Sequence, residues 1–306
     1  MEDAKSSFVW VFRLKGQRCK DIIFNIKNKI MKYNYVQAPL PFQGQKRRFL
    51  KTFKEALNEF PADAVYVDLF GGSGLLSHTV KNYYPDAKVI YNDFDGYSQR
   101  LENVDKTNAL LSDIRVICAK SEVRKERLPD DLHSEIIGRI SKEEGFIDWI
   151  TISSSLLFSM NYVTSFEQLK KETFYNKVRL SDYRVDGYLD GVDRARKDYR
   201  DLFAEYRNHS NVVFLVDPPY LSTDCSTYSR PDYWKLSDYL NVLKTIEDTS
   251  YFYFTSNKSQ IIELCEWMQT RGYCRSPFDG ATTVKVNTSL THNASYEDIM
   301  IYRNYR

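Results

Sequence analysis

The sequence predicts an α/β fold whose largely parallel sheet is interrupted by a mostly helical insert. Three observations predict it. Short apolar runs alternate with helical stretches between residues 46 and 111, which is the rhythm of strand–helix–strand units with parallel strands. The first run ends in an acid and a glycine turn, Asp68-Leu69-Phe70-Gly71-Gly72-Ser73-Gly74. The rhythm lapses over 119–197 and returns with Val212-Val213-Phe214-Leu215-Val216, a continuous apolar run suited to a strand buried on both faces.

The elements follow in order. Residues 8–13 read as a strand, and 19–32 as a helix with Ile23, Ile26 and Ile30 on one face. Proline and glycine mark 38–46 as a loop. A helix is expected from Lys46 to about Phe60. Ala64 to Val67 forms a strand ending at Asp68, a helix covers Leu75 to Tyr84, and Lys88 to Tyr91 forms a strand ending at Asn92-Asp93. A further helix is expected over 96–111. The middle is charged but balanced, with 15 Lys or Arg and 15 Asp or Glu between residues 119 and 200. Its basic residues cluster at Lys170-Lys171 and at Arg194, Arg196, Lys197 and Arg200. Residues 251–254 and 299–302 read as later strands.

Bulk composition narrows the classes. The chain has 306 residues, 42% hydrophobic and 27% charged, enough for a substantial core. Lys plus Arg is 43 against 41 for Asp plus Glu. That excludes a basic coat protein or an acidic tail, but not a nucleic-acid enzyme, because local clusters matter more than the sum. Aromatic residues reach 15%, with 23 Tyr, and a tyrosine-rich core is the commoner cause of such an excess. Five cysteines without a C-x-x-C indicate neither a disulfide framework nor a zinc site, and point to a reducing, cytoplasmic setting. The run from Phe8 to Phe12 is too short for a signal core, and no stretch reaches the length of a membrane span. His78, His133, His209 and His292 show no metal spacing, so no metal is expected.

Two motifs carry chemistry. Glycines after a strand allow a sharp turn and close backbone approach, and the following helix aims free N–H groups at a carboxylate or phosphate. Asp93 lies 19 residues past Gly74, where an acid can accept ribose hydroxyls. The pair suits an adenosine-containing cofactor. Gly72-Ser73-Gly74-Leu75-Leu76-Ser77 comes close to the dinucleotide pattern G-x-G-x-x-G, so a nicotinamide oxidoreductase is a rival, one that Ser77 in place of the third Gly argues against, and a plain tight turn is another. The second motif, Asp217-Pro218-Pro219-Tyr220, closes the 212–216 run. Two prolines at fixed places arise by chance roughly once in 400 trials. They lock φ and remove two donors, so a carboxylate, a rigid carbonyl and an aromatic ring converge. Such acceptors can hold both hydrogens of an exocyclic amine while Tyr220 stacks on its base. The bland alternative is a strand-ending Pro-Pro turn.

These residues resemble the Dam-type DNA adenine-N6 methyltransferases, over nearly all of the chain beyond the first 35 residues. Pro41-Phe42-Gln43-Gly44-Gln45-Lys46 stands where that family has K-W-A-G-G-K, with Gln45 for its second Gly. Asp68 to Gly74 and Asn92-Asp93 are similar to its glycine motif and acidic strand end, Asp198-Tyr199-Arg200 to its D-F or D-Y element, and Asp217 to Tyr220 to its D-P-P-Y. Ser256-Asn257 and 297–305 resemble its closing motifs.

The resemblance implies a Rossmann-like mixed sheet of the S-adenosylmethionine-dependent methyltransferase type. The catalytic domain is then 1–118 and 198–306, with 1–35 an N-terminal extension and 119–197 a target-recognition insert. S-adenosyl-L-methionine is the implied cofactor, contacted by Phe42, Gly44, Lys46, Asp68, Phe70, Gly71, Gly72, Gly74, Asp93, Asp198, Tyr199 and Asp217. Asp217, Pro218, Pro219 and Tyr220 are the implied catalytic group. Double-stranded DNA is the implied partner, with its target adenine flipped into the pocket and its phosphates held by Arg47, Arg48, Lys170, Lys171, Arg194, Arg196, Lys197 and Arg230. A nucleoid location and a cognate restriction endonuclease complete the expectation. An RNA adenine methyltransferase, a DNA cytosine-N4 methyltransferase and a non-catalytic nucleic-acid-binding relic are the alternatives.

Overall fold

A computed structural model describes residues 34–158, 161–220, 234–291 and 294–305. The expected strand at 8–13, the helix at 19–32, His292 and Arg230 lie outside them. The chain divides into Met1–Asn34 and Tyr35–Arg306, and the second unit carries the sheet.

The described strands form one seven-stranded sheet in the order β3-β2-β1-β4-β5-β7-β6. They are β1 (Val65–Asp68), β2 (Lys88–Asn92), β3 (Asp193–Ala195), β4 (Val212–Val216), β5 (Ser250–Ser256), β6 (Thr282–Thr291) and β7 (Ala294–Arg303). β1 to β5 are parallel to their neighbours within that set, whereas β7 runs antiparallel to both β5 and β6. After β1 the chain winds outward through β2 and β3. It then returns to place β4 on the other side of β1 and continues to β5. β1 and β4 therefore flank the point where strand order reverses, the place where open α/β sheets bind ligands.

Each strand feeds both faces. Phe214 and Val216 of β4 pack with α8 (Tyr199–Tyr206), α9 (Leu236–Leu243) and α10 (Ile261–Thr270), while Val213 and Leu215 pack with α1 (Leu50–Leu57) and α2 (Leu75–Tyr83). Tyr251 and Tyr253 of β5 join the first face, and Phe252 and Phe254 the second. This alternation explains the unbroken apolar runs. It also accounts for much of the aromatic excess, because Tyr66, Tyr91, Tyr97, Tyr239, Tyr251 and Tyr253 are among the largest fully buried side chains. Phe53 meets Phe252 edge-on at 4.8 Å, a favoured aromatic geometry.

The insert builds its own core. α4 (Val104–Cys118), α5 (Asp130–Ile140), α6 (Trp149–Leu156) and α7 (Phe166–Leu169) cluster through Leu110, Ile114, Ile136, Ile152 and Leu169. That core reaches back into α4, before residue 119. Arg100, on α3 (Tyr97–Glu102), ties the insert to the loop before Lys46: it pairs with buried Asp148 at 3.0 Å and donates to Pro41 O at 2.7 Å.

Some boundaries differ from expectation. The helix expected over 96–111 is two, α3 and α4, joined at Asn103, whose φ of −104° and ψ of 20° break the helical path. A single off-helix residue leaves the apolar period on both sides intact, so periodicity does not register it. The sheet resumes at β3, inside the stretch read as insert, because three residues pairing only with β2 carry little apolar pattern. β6 is also additional; its exposed Thr282, Thr283 and Lys285 give it no apolar run to mark it. Replacing Phe252, fully buried between Phe53 and Phe60, by Ala is expected to cost about 3–5 kcal/mol, measured by urea unfolding.

Candidate active site

The tips of β1 and β4 carry Asp68 and Asp217. Asp68 pairs in register with Leu215, so Asp217 projects just beyond it at the same sheet edge. Lys46 completes the group. It precedes a 3-10 turn at Arg47–Phe49 that leads into α1. Its Nζ lies 2.5 Å from Asp217 Oδ2, with side chains 8% and 17% exposed. The ammonium also donates to Gly44 O at 2.8 Å and sits over the rings of Tyr220 at 5.1 Å and Phe254 at 5.9 Å.

Burial dominates both carboxyls. It raises Asp217 to about 6 despite the opposing pull of Lys46, and Asp298 adds to the rise. It raises Asp68 to about 7 despite the hydrogen bond from Ser77, and Asp217 adds to that rise. Ser77 Oγ donates to Asp68 Oδ2 at 2.7 Å. Asp68 Oδ1 is buried without a well-formed hydrogen bond among the described residues.

The glycine turn is packed from below and above. A Cβ on Gly71 would lie 2.3 Å from the ring of Tyr91, so only glycine fits. Tyr91 Oη lies 2.7 Å from Gly72 O. The ring of Phe42 lies against Gly72. Gly74, at φ +73°, is the N-cap of α2 with no side-chain cap, which leaves first-turn amides for an anion.

Asp93 is fully buried and already satisfied. Ser98 N donates to it at 3.2 and 3.3 Å, Tyr91 Oη lies at 3.1 Å, and Arg194 Nε pairs at 3.0 Å. Arg194 is the solvent-facing member of this set. Asp198 caps α8 and holds Arg200 through both oxygens at 2.9 Å. Phe70 and Tyr199 lie 4.9 Å apart, and Trp234 joins them at 5.7 and 5.8 Å.

The predicted basic residues are dispersed in their pairing. Lys170 pairs with Glu167, Lys197 with Glu205, and Arg194 with Asp93 and Glu102. Arg47, Arg48, Lys171 and Arg196 are at least partly exposed. Sequence reasoning missed Ser77 as a partner of Asp68 and Asn92 as a tie. Asn92 Nδ2 donates to Leu69 O and Lys197 O, each at 3.0 Å, and its Oδ1 accepts from Lys197 N. It also missed Gln45, whose Oε1 accepts from Ala38 N at 3.0 Å and closes the 38–46 loop. Among the described residues no group of acids, histidines and cysteines suits a metal, and no helix is long and apolar enough to cross a membrane.

A mixed seven-stranded sheet with one antiparallel strand near its edge, and a glycine turn and an acid at its switch point, is the Rossmann-like fold of S-adenosylmethionine-dependent methyltransferases. The D12 class N6 adenine-specific DNA methyltransferase family matches residues 42–262. A Haemophilus influenzae protein, described provisionally and only as a methyltransferase, is 39% identical over 287 residues, 91% of this chain and 96% of its own. A solved SAM-dependent methyltransferase of Agrobacterium tumefaciens aligns over 83% of this chain and 60% of its own length, with 11% identity and a TM-score of 0.36. The chain belongs to the D12 class family, and its cofactor is S-adenosylmethionine.

The residues present fit that cofactor. The uncapped amides of α2 suit its carboxylate, and the buried orphan oxygen of Asp68 suits an N–H donor. Two carboxyls lie in the crevice and the one ammonium pairs with Asp217, which leaves Asp68 to favour a ligand bearing positive charge.

Buried Asp68 also makes a stability prediction. Its carboxyl is raised from 3.8 to about 7 on folding, so the folded state binds the extra proton. Stability is greatest below pH 4 for this group and is lost as pH rises through 7. Asp68→Asn is expected to raise the melting temperature at pH 8, and this gain shrinks toward pH 4. Equal gains at both pH values would contradict it.

Proposed function

We propose that the chain transfers a methyl group from S-adenosylmethionine to the N6 amino group of adenine at a specific site in double-stranded DNA. The observation that supports this reading best is the Asp217 carboxylate held by buried Lys46 at the β1–β4 switch point, at the head of the Pro218-Pro219-Tyr220 run. The bound cofactor supplies an electrophilic methyl group. The chain supplies everything else.

The adenine amine is a poor nucleophile because its lone pair is delocalised into the ring. Asp217 Oδ1 and Pro218 O accept its two hydrogens, which favours a pyramidal nitrogen with its lone pair turned to the electrophile. The nitrogen gains the methyl group as the methyl–sulfur bond breaks, leaving a neutral thioether, and sheds one of the two held protons through Asp217 to solvent. Proline removes the donors that would compete for those acceptors. Lys46 keeps Asp217 ionised against its burial. Fixed acceptors of this kind act by electrostatic preorganisation. The Tyr220 ring, beside Lys46, offers a face for a base, and such stacking is worth about 1–3 kcal/mol. The base has to leave the duplex to reach this crevice. Arg47 and Arg48 directly follow Lys46 and serve the flanking phosphates. The surface pairs of Lys170 and Lys197 are weak and yield readily to phosphate.

The decisive test follows labelled methyl from S-adenosylmethionine into duplex DNA, with acid hydrolysis to identify the product base. N6-methyladenine is expected, and Asp217→Ala should lower the rate at least about 100-fold. N4-methylcytosine, or label only in RNA, would replace this reading by its close alternatives, and a chain that binds DNA but fails to bind the cofactor would replace it by the relic. A second outcome concerns pH. Activity should fall as Asp217 protonates near pH 6 in the free enzyme, and Lys46→Gln should move that limb upward, since the cation that depresses the carboxyl is gone. An unmoved limb would show that Lys46 does not govern Asp217.

A further inference from the structure

The segment leading from the insert back to β3 turns over the glycine loop. Its backbone is left-handed at Gly187 (φ +70°), Leu189 (φ +64°) and Gly191 (φ +72°). For leucine this conformation is unfavourable and persists only where the surroundings hold it. Leu189 has such surroundings. Its Cδ2, Cδ1 and Cγ lie 2.7, 3.0 and 3.3 Å from the point a Cβ on Gly74 would occupy. The leucine side chain fills the space that the missing side chain of Gly74 leaves.

Its neighbour fastens the same loop. Tyr188 is 6% exposed, and its hydroxyl donates to Ser73 O at 2.8 Å. Its ring stacks on His78 of α2, 4.7 Å between centroids, and Tyr35 meets both rings edge-on at 5.0 and 5.3 Å. Gly191 lies against Lys81 on the next turn of α2, with a would-be Cβ 3.0 Å from Cε. Residues 188–191 therefore grip residues 73–81, the end of the glycine turn and the start of the helix behind it. A surface turn with no task at that loop would place glycine or asparagine at position 189, as its neighbours 187 and 191 do.

We propose that Tyr188 and Leu189 are positioning residues for the methyl donor. They hold Ser73 and Gly74 in the form that presents the first amides of α2. Because they continue directly from the helical insert, they couple that insert to donor binding. This inference rests on reading the glycine turn as the donor site.

The test is calorimetric binding of S-adenosylmethionine to the full chain, with melting temperatures recorded alongside. Leu189→Gly relieves the backbone but uncovers Gly74, and Leu189→Ala uncovers it while keeping the unfavourable φ. Both are expected to raise the donor Kd about tenfold, whereas Leu189→Met, which refills the space, stays close to wild type. In methylation assays the donor KM should rise with Kd, while kcat at saturation falls less. Melting temperatures that drop with unchanged Kd would overturn the proposal, since a merely structural role predicts that result. If a Leu189 variant does not fold, Tyr188→Phe, which deletes one hydroxyl, decides on the same criterion: a weaker donor Kd supports the coupling, and an unchanged one overturns it. A wild type that binds no donor would overturn the reading of the site and this inference with it. Normal wild-type binding with unaltered variants overturns this inference alone.

Discussion

Two carboxyls brought to one sheet edge around one buried ammonium are the constraint on which the rest of this molecule depends. β1 and β4 are neighbours only because the chain reverses its winding between them, and that reversal sets Asp68 and Asp217 side by side. Like charges in a dry crevice repel, and burial pushes both carboxyls upward. Lys46 answers one of them. The remaining deficit of positive charge suits a cofactor that carries a cation at its reactive centre. Site chemistry and sheet topology are thus one fact seen at two scales.

The packing serves that crevice. Strands filled with large apolar side chains on both faces leave little freedom at their tips, so the acids at the ends of β1 and β4 are held by a stiff base. Three connections around the site are polar and buried. Asn92 ties the ends of β1 and β2 to residue 197, Arg100 ties the insert to the loop before Lys46, and Ser77 anchors Asp68. Losing one partner of such a tie leaves the other unsatisfied, which costs more than the bond itself contributes. The insert meanwhile has a core of its own and meets the glycine loop through Tyr188 and Leu189.

Much of this is legible in residue order. Val212 to Val216 announces a doubly buried strand by its unbroken apolar run, and the strand is there with the same bounds. Asp68 and the glycines after it mark a strand–turn–helix junction because only small residues tolerate the close approach of Tyr91. Partnerships are a different matter. Nothing local in Arg194 says that it lies on Asp93, since the two are far apart in the chain and the contact exists only once β3 lies beside β2. Read along the chain, Arg194 belongs to a basic cluster, whereas in space it completes the shell of a buried acid. The role of Leu189 is hidden for the same reason: a backbone angle and a contact with a distant glycine leave no trace in spacing.

Sequence alone determined the class of fold, the glycine turn, the proline-stiffened strand end and the family they point to, because each is a run of adjacent residues whose sterics and hydrogen-bonding capacity are set by type and order. Tertiary structure alone decided that Lys46 neutralises Asp217 rather than Asp68, that Ser77 serves Asp68, that Asp93 is shielded by Arg194, and that the insert closes on the glycine loop. Those outcomes depend on which strands become neighbours and on how deeply each charge is buried, and both are properties of the assembled sheet.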